Sequence, residues 1–232
     1  MRRFFALAVL ALGISATAHA QDDDGLCRNG LFAEENAEFA LARIGGEGRA
    51  HFMSDSDGCP VSGRSCSRAA YIVPGDQVVV GRVRGAYSCV YYPNRSGANR
   101  SGGSAGWIPN ARLQSLPVNR SPLSDAWLGE WVRDEAASLR FKRKQGSRAL
   151  VVLGDAYWPS PDPPPSLRPY GPNLGSVDGA VVLQDNRAEQ SECAIRFILL
   201  NDILVVADPK RHCDGMNVTF SGVYHRSRDR SR

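Results

Sequence analysis

The sequence lacks any long apolar run beyond its first twenty residues, and residues suited to metal binding are few. No later stretch of the 232-residue chain approaches the roughly eighteen apolar residues of a membrane-spanning helix, so no transmembrane segment is predicted. The 4 histidines are scattered, and no CxxC pair accompanies them. Because protein zinc sites draw on closely spaced ligands of these types, we expect neither a metal nor another cofactor.

A strong excess of charge of either sign is also missing. The chain carries 28 Lys and Arg against 24 Asp and Glu, a formal net charge of +4, and 43% of its residues are hydrophobic. These proportions exclude a disordered chain, and they argue against a nucleic acid partner. Two stretches are locally basic, Arg140 to Arg148 and Arg226 to Arg232. Contact with an anionic envelope surface and simple solvation are both open interpretations of them.

The first twenty residues have the pattern of a secretory signal peptide. Arg2 and Arg3 form a charged start, Phe4 to Ile14 are apolar, and Ala18-His19-Ala20 is a small-residue cleavage site. We predict a cleaved signal peptide over residues 1–20 and an exported protein, either periplasmic or secreted.

All 6 cysteines follow this segment, which favours disulfides in an oxidising compartment. One pair lies in a short Gly/Ser/Pro-rich loop, a second pair flanks two strands near the C-terminus, and the remaining two are left for each other. We therefore predict three structural disulfides: Cys59–Cys66, Cys193–Cys213 and Cys27–Cys89.

A short polar linker with two prolines, residues 117–124, divides the chain. We predict a first domain over residues 21–116, a second over 125–226 and a basic tail over 227–232, and we expect the two domains to fold independently. Seven prolines between Pro159 and Pro172 predict an extended surface loop within the second half.

Strand patterns dominate the first half. The β-branched run from Gln77 to Val83 follows a Pro-Gly-Asp turn, and the aromatic run from Ala86 to Tyr92 comes directly after it. A short strand is predicted at Arg49 to Met53 and another at Leu113 to Leu116. Only the Ala-rich stretch Phe32 to Ile44 has helical character.

This half resembles a bacterial SH3-like domain over about residues 48–116. The motifs that carry the resemblance are Ala70 to Asp76, Tyr87 to Tyr92 and the closing Gly106-Trp107-Ile108-Pro109. It implies a small five-stranded barrel used for recognition in envelope proteins. By position, the implied ligand-binding residues are Tyr71, Tyr91, Trp107 and Pro109. For Tyr71 and Trp107 the alternative is that they simply fill and cap the core.

The second half predicts about seven antiparallel strands in a closed up-and-down barrel. Apolar and basic residues alternate in Leu139-Arg140-Phe141-Lys142, and Asn201-Asp202 marks a hairpin turn between two apolar strands. The Gly129-x-Trp131 start and the final run Phe220 to Tyr224 resemble lipocalin-type barrels, a group that includes small secreted inhibitors. The predicted fold class is thus all-β, with two small β-barrels.

Two motifs mimic functional sites. Gly102 to Gly106 matches G-x-S-x-G, but a nucleophile elbow needs a strand–turn–helix corner that is not predicted here. Asp55, Asp57 and Gly58 match only part of a calcium loop, whose first and last ligand positions are occupied by Met53 and Arg64. No catalytic residue and no metal ligand is predicted.

The sequence therefore predicts an exported, non-enzymatic binding module that recognises a peptide or glycan of the cell envelope. The alternative is a periplasmic or secreted inhibitor of a lytic enzyme or protease, acting through the C-terminal barrel. A hydrolase with an unrecognised site is a third hypothesis, and it requires a cleft of convergent titratable groups.

Overall fold

A computed structural model describes residues 26–34, 37–56, 58–61, 66–93, 102–147, 149–158, 173–210, 213 and 215–227. The predicted signal peptide, the proline-rich stretch 159–172 and the last five residues of the basic tail lie outside these described residues. Within them the fold is all-β, as expected: fifteen strands are present, and helical turns are confined to short 3₁₀ segments such as Asn110–Arg112 and Ser124–Trp127.

The first half forms a seven-stranded antiparallel sheet. In sequence its strands are β1 Ala40–Ile44, β2 Ala50–Met53, β3 Ser67–Ile72, β4 Gln77–Arg84, β5 Tyr87–Tyr92, β6 Ser104–Pro109 and β7 Leu113–Leu116. Their order in the sheet is β3-β2-β6-β5-β4-β1-β7, so β3 and β7 are the edges. The strands predicted from β-branched and aromatic runs are present. The sheet has two strands more than the resemblance implied and is open at β3 and β7, so the predicted first barrel is wrong: the described strands of this half form a sheet. An SH3-like identity stays a prediction.

The helix expected within Phe32 to Ile44 is wrong. Leu31 to Glu34 form a turn, and β1 follows it as an inner strand of the sheet. Leu41 pairs with Val79 of β4 on one side and with Leu116 of β7 on the other. The two strands satisfy the backbone groups of β1 from both sides, and this pairing overrides the local helical preference of an Ala-rich segment.

The second half is a closed eight-stranded antiparallel barrel. Its strands are β8 Gly129–Asp134, β9 Ala137–Arg143, β10 Leu150–Trp158, β11 Asn173–Gln184, β12 Arg187–Gln190, β13 Ile195–Leu200, β14 Ile203–Ala207 and β15 Gly222–Arg226. Each strand pairs with the next in sequence, and β15 pairs with β8 to close the barrel. The predicted closed up-and-down barrel is confirmed. The short strand β12 was not predicted, because Arg187-Ala188-Glu189-Gln190 contains a single apolar residue.

Side chains fill the barrel interior. Inward-facing aromatic and aliphatic residues alternate with outward-facing ones, and Phe141 packs against Phe197 with ring centroids 5.3 Å apart. Trp127, in the 3₁₀ turn before β8, contacts Phe141 at 5.8 Å. The interior is therefore a packed core rather than a ligand cavity of the type found in larger barrels.

Arg226 holds the closing strand to the barrel's starting segment. Its guanidinium lies over the indole of Trp131, 4.4 Å from the ring centroid, and it donates hydrogen bonds to the carbonyls of Ala126 and Leu128. Gly129 has a φ of 110°, and a Cβ at this position would lie 3.2 Å from the same guanidinium. The glycine of the Gly-x-Trp motif thus allows both the unusual backbone conformation and the close approach of Arg226.

A shared hydrophobic cluster joins the two halves. Alternating residues of the first sheet face two sides: Val90 packs into the sheet's own core, whereas Tyr91 and Trp107 face the barrel. From the barrel, outward-facing residues of β13, β14 and β15 pack against them, namely Ile198, Leu200, Ile203, Val205 and Val223.

The linker is hydrogen-bonded to the barrel. The Asn201 side chain accepts from the Asn119 backbone N–H and donates to the Pro117 carbonyl, each at 3.0 Å. Residues 117–124 are thus held against the β13–β14 turn. The domain boundaries stay a prediction, but the packing argues against the expected independence of the two halves, because each buries apolar surface of the other.

The three predicted disulfides are confirmed, with Cα–Cα distances of 5.6, 5.5 and 5.2 Å for Cys27–Cys89, Cys59–Cys66 and Cys193–Cys213. The first disulfide ties the N-terminal segment, residues 26–34 and 37–39, to β5 within the shared cluster. The third joins the turn after β12 to a loop whose Cys213 carbonyl accepts a hydrogen bond from Ser176 of β11.

Candidate functional site

The four residues that the resemblance assigned to ligand binding do not form one surface. Trp107 has no exposed surface and Tyr91 is only 5% exposed, so both belong to the shared cluster. The Tyr91 hydroxyl accepts a hydrogen bond from the Gly103 backbone N–H, and burial raises the pKa of Tyr91. Pro109 is half-buried at the end of β6. Of the four, Tyr71 alone is well exposed, at 42%.

Tyr71 lies on the edge strand β3, and two basic side chains from the neighbouring strand β2 and the residue just before it lie against its ring. The Arg49 guanidinium lies over its ring, 4.1 Å from the centroid, and the His51 ring is 5.7 Å away from the cross-strand position. The His51 Nδ1 donates to the Arg68 carbonyl at 2.9 Å. This small aromatic and basic patch keeps the role of Tyr71 in ligand binding open, and that role stays a prediction.

Asp55 serves a structural purpose. Its carboxylate is buried and accepts hydrogen bonds from the Arg28 guanidinium at 2.8 Å, the Arg68 guanidinium at 3.1 Å and the Cys27 backbone N–H at 3.3 Å. Burial alone would raise the pKa of Asp55, but the hydrogen bond from Arg28 and the charges of both arginines outweigh burial and lower it. Asp55 therefore fixes the N-terminal segment to the sheet.

Ser104, the serine of the G-x-S-x-G match, lies at the start of strand β6 and is exposed. Its position in a sheet, rather than at a strand-to-helix corner, lacks the backbone geometry of a nucleophile elbow. Within the part of the chain that the structure describes, no group of three His, Cys, Asp or Glu side chains could hold a metal ion.

A groove runs over the outer wall of the barrel, across strands β11 to β14. Two rows of directly paired, outward-facing residues form its base. The first row is Val182, Glu189, Arg196 and Ala207, and the second is Gln184, Arg187, Ile198 and Val205. Neighbouring residues in a row are about 5 Å apart, and the rows are about 7 Å apart along the strands.

The N-terminal segment supplies one side of this groove. Ala37 and Phe39 line it, and Arg187 fixes this segment through a 2.6 Å ion pair with Glu38 and a 3.2 Å hydrogen bond to the Ala37 carbonyl. The groove has a volume of about 300 Å³. This volume is at the lower end of the range typical of ligand sites, and suits one or two side chains or a sugar ring.

The groove combines an apolar floor with charged residues. Ile198, Val205 and Ala207 form this floor, which Phe39 borders, and Phe39, Ile198 and Val205 belong to the shared cluster. Val182 is 68% exposed on the far side. Glu189 and Arg196 lie between them on adjacent strands. An apolar floor with a few placed charges is the usual composition of a binding site for a small or extended ligand.

Sequence reasoning missed the groove entirely. Its residues come from four strands and from a segment about 150 residues away in the chain, so no spacing connects them. One signal was available: Ile203-Leu204-Val205-Val206-Ala207 is apolar at every position, which is typical of a strand covered on both faces. It indicates that the outer wall of the barrel has a covering.

No protein-family model matches this chain, and comparisons with curated proteins and with solved structures find no match to it. The described residues contain no helix long and apolar enough to cross a membrane. The structure by itself defines the class: a disulfide-bonded all-β protein in which a closed, filled barrel packs against a second sheet, with a groove where the two meet.

Proposed function

We propose that the protein is an exported, non-enzymatic binding module that holds a peptide or glycan of the cell envelope in the groove over β11 to β14. The observation that carries the proposal is the groove itself, an apolar floor with flanking charges beside the contact between the two sheets. The described residues of the barrel interior pack as a hydrophobic core, and the groove lies on the outer wall.

Two further features support the proposal. Three disulfides, with every cysteine paired, are typical of proteins that work outside the reducing cytoplasm. Asp55, a carboxyl group whose pKa is lowered, is engaged by two arginines in a structural role and does not line the groove. The charged groups that line the groove, Arg187, Glu189 and Arg196, can bind polar groups of a ligand through charge and hydrogen bonds.

The experiment compares two aspartate substitutions on one strand. Val182 and Leu174 are both on β11 and nearly equally exposed, at 68% and 69%, but only Val182 lines the groove. Wild type, Val182→Asp and Leu174→Asp are titrated with soluble peptidoglycan fragments that carry their stem peptides, and NMR shifts are followed.

The proposal predicts shifts at Val205 and Ala207 in wild type and Leu174→Asp, and at least a several-fold weaker response in Val182→Asp, because a charge in place of an apolar residue that lines the groove disfavours ligand burial. Shifts that avoid the groove, or that Leu174→Asp abolishes equally, contradict it.

One observation favours inhibition as a second candidate function. Trp158, Leu174 and Met216 are exposed together at one end of the barrel: Trp158 pairs with Asn173, whose side chain donates to the Met216 carbonyl at 2.6 Å. Exposed large apolar residues, tryptophan above all, are typical of protein–protein contact sites. This candidate predicts the reverse result: a one-to-one complex with a lytic hydrolase such as lysozyme, weakened by Leu174→Asp and unaffected by Val182→Asp.

A further inference from the structure

The outer face of strand β13 places a charged and an apolar residue next to each other in the groove. Arg196 and Ile198 are two residues apart and face outward, so their side chains are about 7 Å apart along the strand. An extended polypeptide repeats its side chains on one face at the same distance. A peptide that lies along β13 can therefore put residue i over Arg196 and residue i+2 over the apolar floor at Ile198, which is 7% exposed and lines the groove.

The apolar half of the groove continues a contact already present within the protein. Ile198 and Val205 belong with Phe39 to the shared cluster, and the same apolar wall extends to Ala207. Because the inner part of this wall is covered by side chains of the first sheet, an aliphatic side chain from a partner would extend the same packing.

The charged half favours an acidic group over Arg196. Arg187, the other guanidinium of the groove, is already paired with Glu38. Arg196 makes no ion pair with another described residue, although Glu189 lies directly opposite on β12. Arginine binds carboxylates through its planar set of N–H donors. The carboxylate of Glu189 competes with an acidic ligand for Arg196 and repels it. Removing the charge of Glu189 therefore tests whether the ligand is negatively charged.

We infer that the groove binds an extended peptide that carries a carboxylate and an aliphatic side chain two positions apart. This inference rests on the proposed function and selects peptide over glycan. The two aromatic residues that line the groove, Phe39 and Phe197, are 3% and 0% exposed, so neither ring offers an open face on which a sugar could stack.

The experiment uses tripeptide probes and the full exported protein with its disulfides intact. The probes are acetyl-Asp-Ala-Leu-amide, its Asn and Lys analogues at the first position, the reversed acetyl-Leu-Ala-Asp-amide, and N-acetylglucosamine trimer. NMR titration follows the methyl groups of Val182, Val205 and Ala207. The variants are Arg196→Gln and Glu189→Gln, and Arg140→Gln on β9, outside the groove, is the matched control.

The two acidic probes present the carboxylate and the aliphatic side chain in opposite chain directions, and one of them should match Arg196 and Ile198. That probe should bind about two- to fivefold more tightly than the Asn probe, the range expected for an exposed ion pair. Arg196→Gln should remove this advantage, Glu189→Gln should increase it, and Arg140→Gln should leave it unchanged.

The inference is overturned if the Lys probe binds at least as tightly as both acidic probes, or if the saccharide alone shifts the groove. The second result leaves the proposed function standing. If no probe, peptide or saccharide, shifts any groove methyl, both the inference and the assignment of binding to this groove fail.

Discussion

Asp55 shows how one carboxylate can fix a chain segment that has little secondary structure of its own. It binds Arg28 and the Cys27 backbone N–H, so it holds the N-terminal segment next to the Cys27–Cys89 disulfide. The segment then continues to Phe39 and the groove. The Arg28 and Arg68 side chains are both partly exposed, whereas the carboxylate is buried. If this contact is lost, the destabilisation therefore comes mainly from the buried Asp55 oxygens, which lose their hydrogen-bond partners.

Asp55→Asn should destabilise the protein by about 1–3 kcal/mol at neutral pH, because it removes the charge that two arginines bind. The folded-state pKa of Asp55 lies below its ordinary value of 3.8. Its stabilisation is therefore complete above that value and is lost as pH falls through the lower folded-state pKa.

Urea unfolding of wild type and Asp55→Asn between pH 2 and pH 7 measures this effect, and the difference should shrink towards acid. Asp178→Asn, at an exposed position on β11, is the control. A difference that is independent of pH contradicts the assignment of the effect to the Asp55 charge.

Arg226→Ala should destabilise the barrel by about 1–3 kcal/mol, because it removes both the contact with Trp131 and the donors to the Ala126 and Leu128 carbonyls. Arg226→Lys should recover only part of the loss, since an ammonium group cannot reproduce the planar set of donors. Urea unfolding monitored by tryptophan fluorescence measures both. Arg140→Ala, whose ion pair with Glu130 is exposed, should cost under about 1 kcal/mol; equal losses at both arginines would contradict the closing role of Arg226.

At the scale of elements, the barrel is irregular where β12 follows β11. Strand β11 has twelve residues, but β12 pairs with only its last three, Val182 to Gln184. Beside the rest of β11, the Ser176 N–H donates to the Cys213 carbonyl, and the Cys193–Cys213 disulfide links that loop to the end of β12. The disulfide thus connects two elements that flank the incompletely paired strand.

Replacing both Cys193 and Cys213 by serine should lower the free energy of unfolding by about 2–4 kcal/mol, mainly because the unfolded chain regains freedom. Hydrogen exchange should increase first at β11 and β12, where the local pairing is sparse. The Cys59→Ser/Cys66→Ser variant is a suitable control, because this disulfide closes a loop of the first half. Unchanged protection of β11 in the barrel variant would contradict the structural role given to this disulfide.

At the scale of the whole molecule, the shared cluster makes the two halves depend on each other. Ile203 is fully buried and faces the first sheet, although it belongs to a barrel strand. Its side chain is therefore part of the contact between the halves rather than of the barrel core.

Ile203→Ala should cost about 2–5 kcal/mol, the range for a truncated core residue, and both halves should lose protection in one cooperative transition. Calorimetry together with residue-resolved hydrogen exchange at Val79 of the first sheet and Phe197 of the barrel measures this. Leu204→Ala, which truncates the barrel interior, is the companion variant and should show the same single transition. Two separate transitions would restore the independent domains expected from the linker.

The sequence by itself determined the all-β class, the closed antiparallel barrel and the Cys59–Cys66 and Cys193–Cys213 pairs, and it left Cys27 for Cys89 only by elimination. The local signals are the alternation in Leu139 to Lys142, the hairpin turn residues and the spacing of cysteines around neighbouring strands. Among the turn residues, Asn201 adopts the φ of 59° that its hairpin requires. Each signal lies within a short stretch of chain, so one strand or hairpin at a time is enough to interpret it.

The tertiary structure alone decided which aromatic residues are buried and where the groove lies. Trp107 and Tyr91 occur in strand patterns that look the same whether the ring faces solvent or a second sheet, and it is the barrel's outer wall that buries them. Likewise Ala40 to Ile44 becomes a strand because β4 and β7 are both available to pair with it. The groove combines Phe39 with residues of four strands that follow it by more than 140 positions, and only packing between the two halves brings them together.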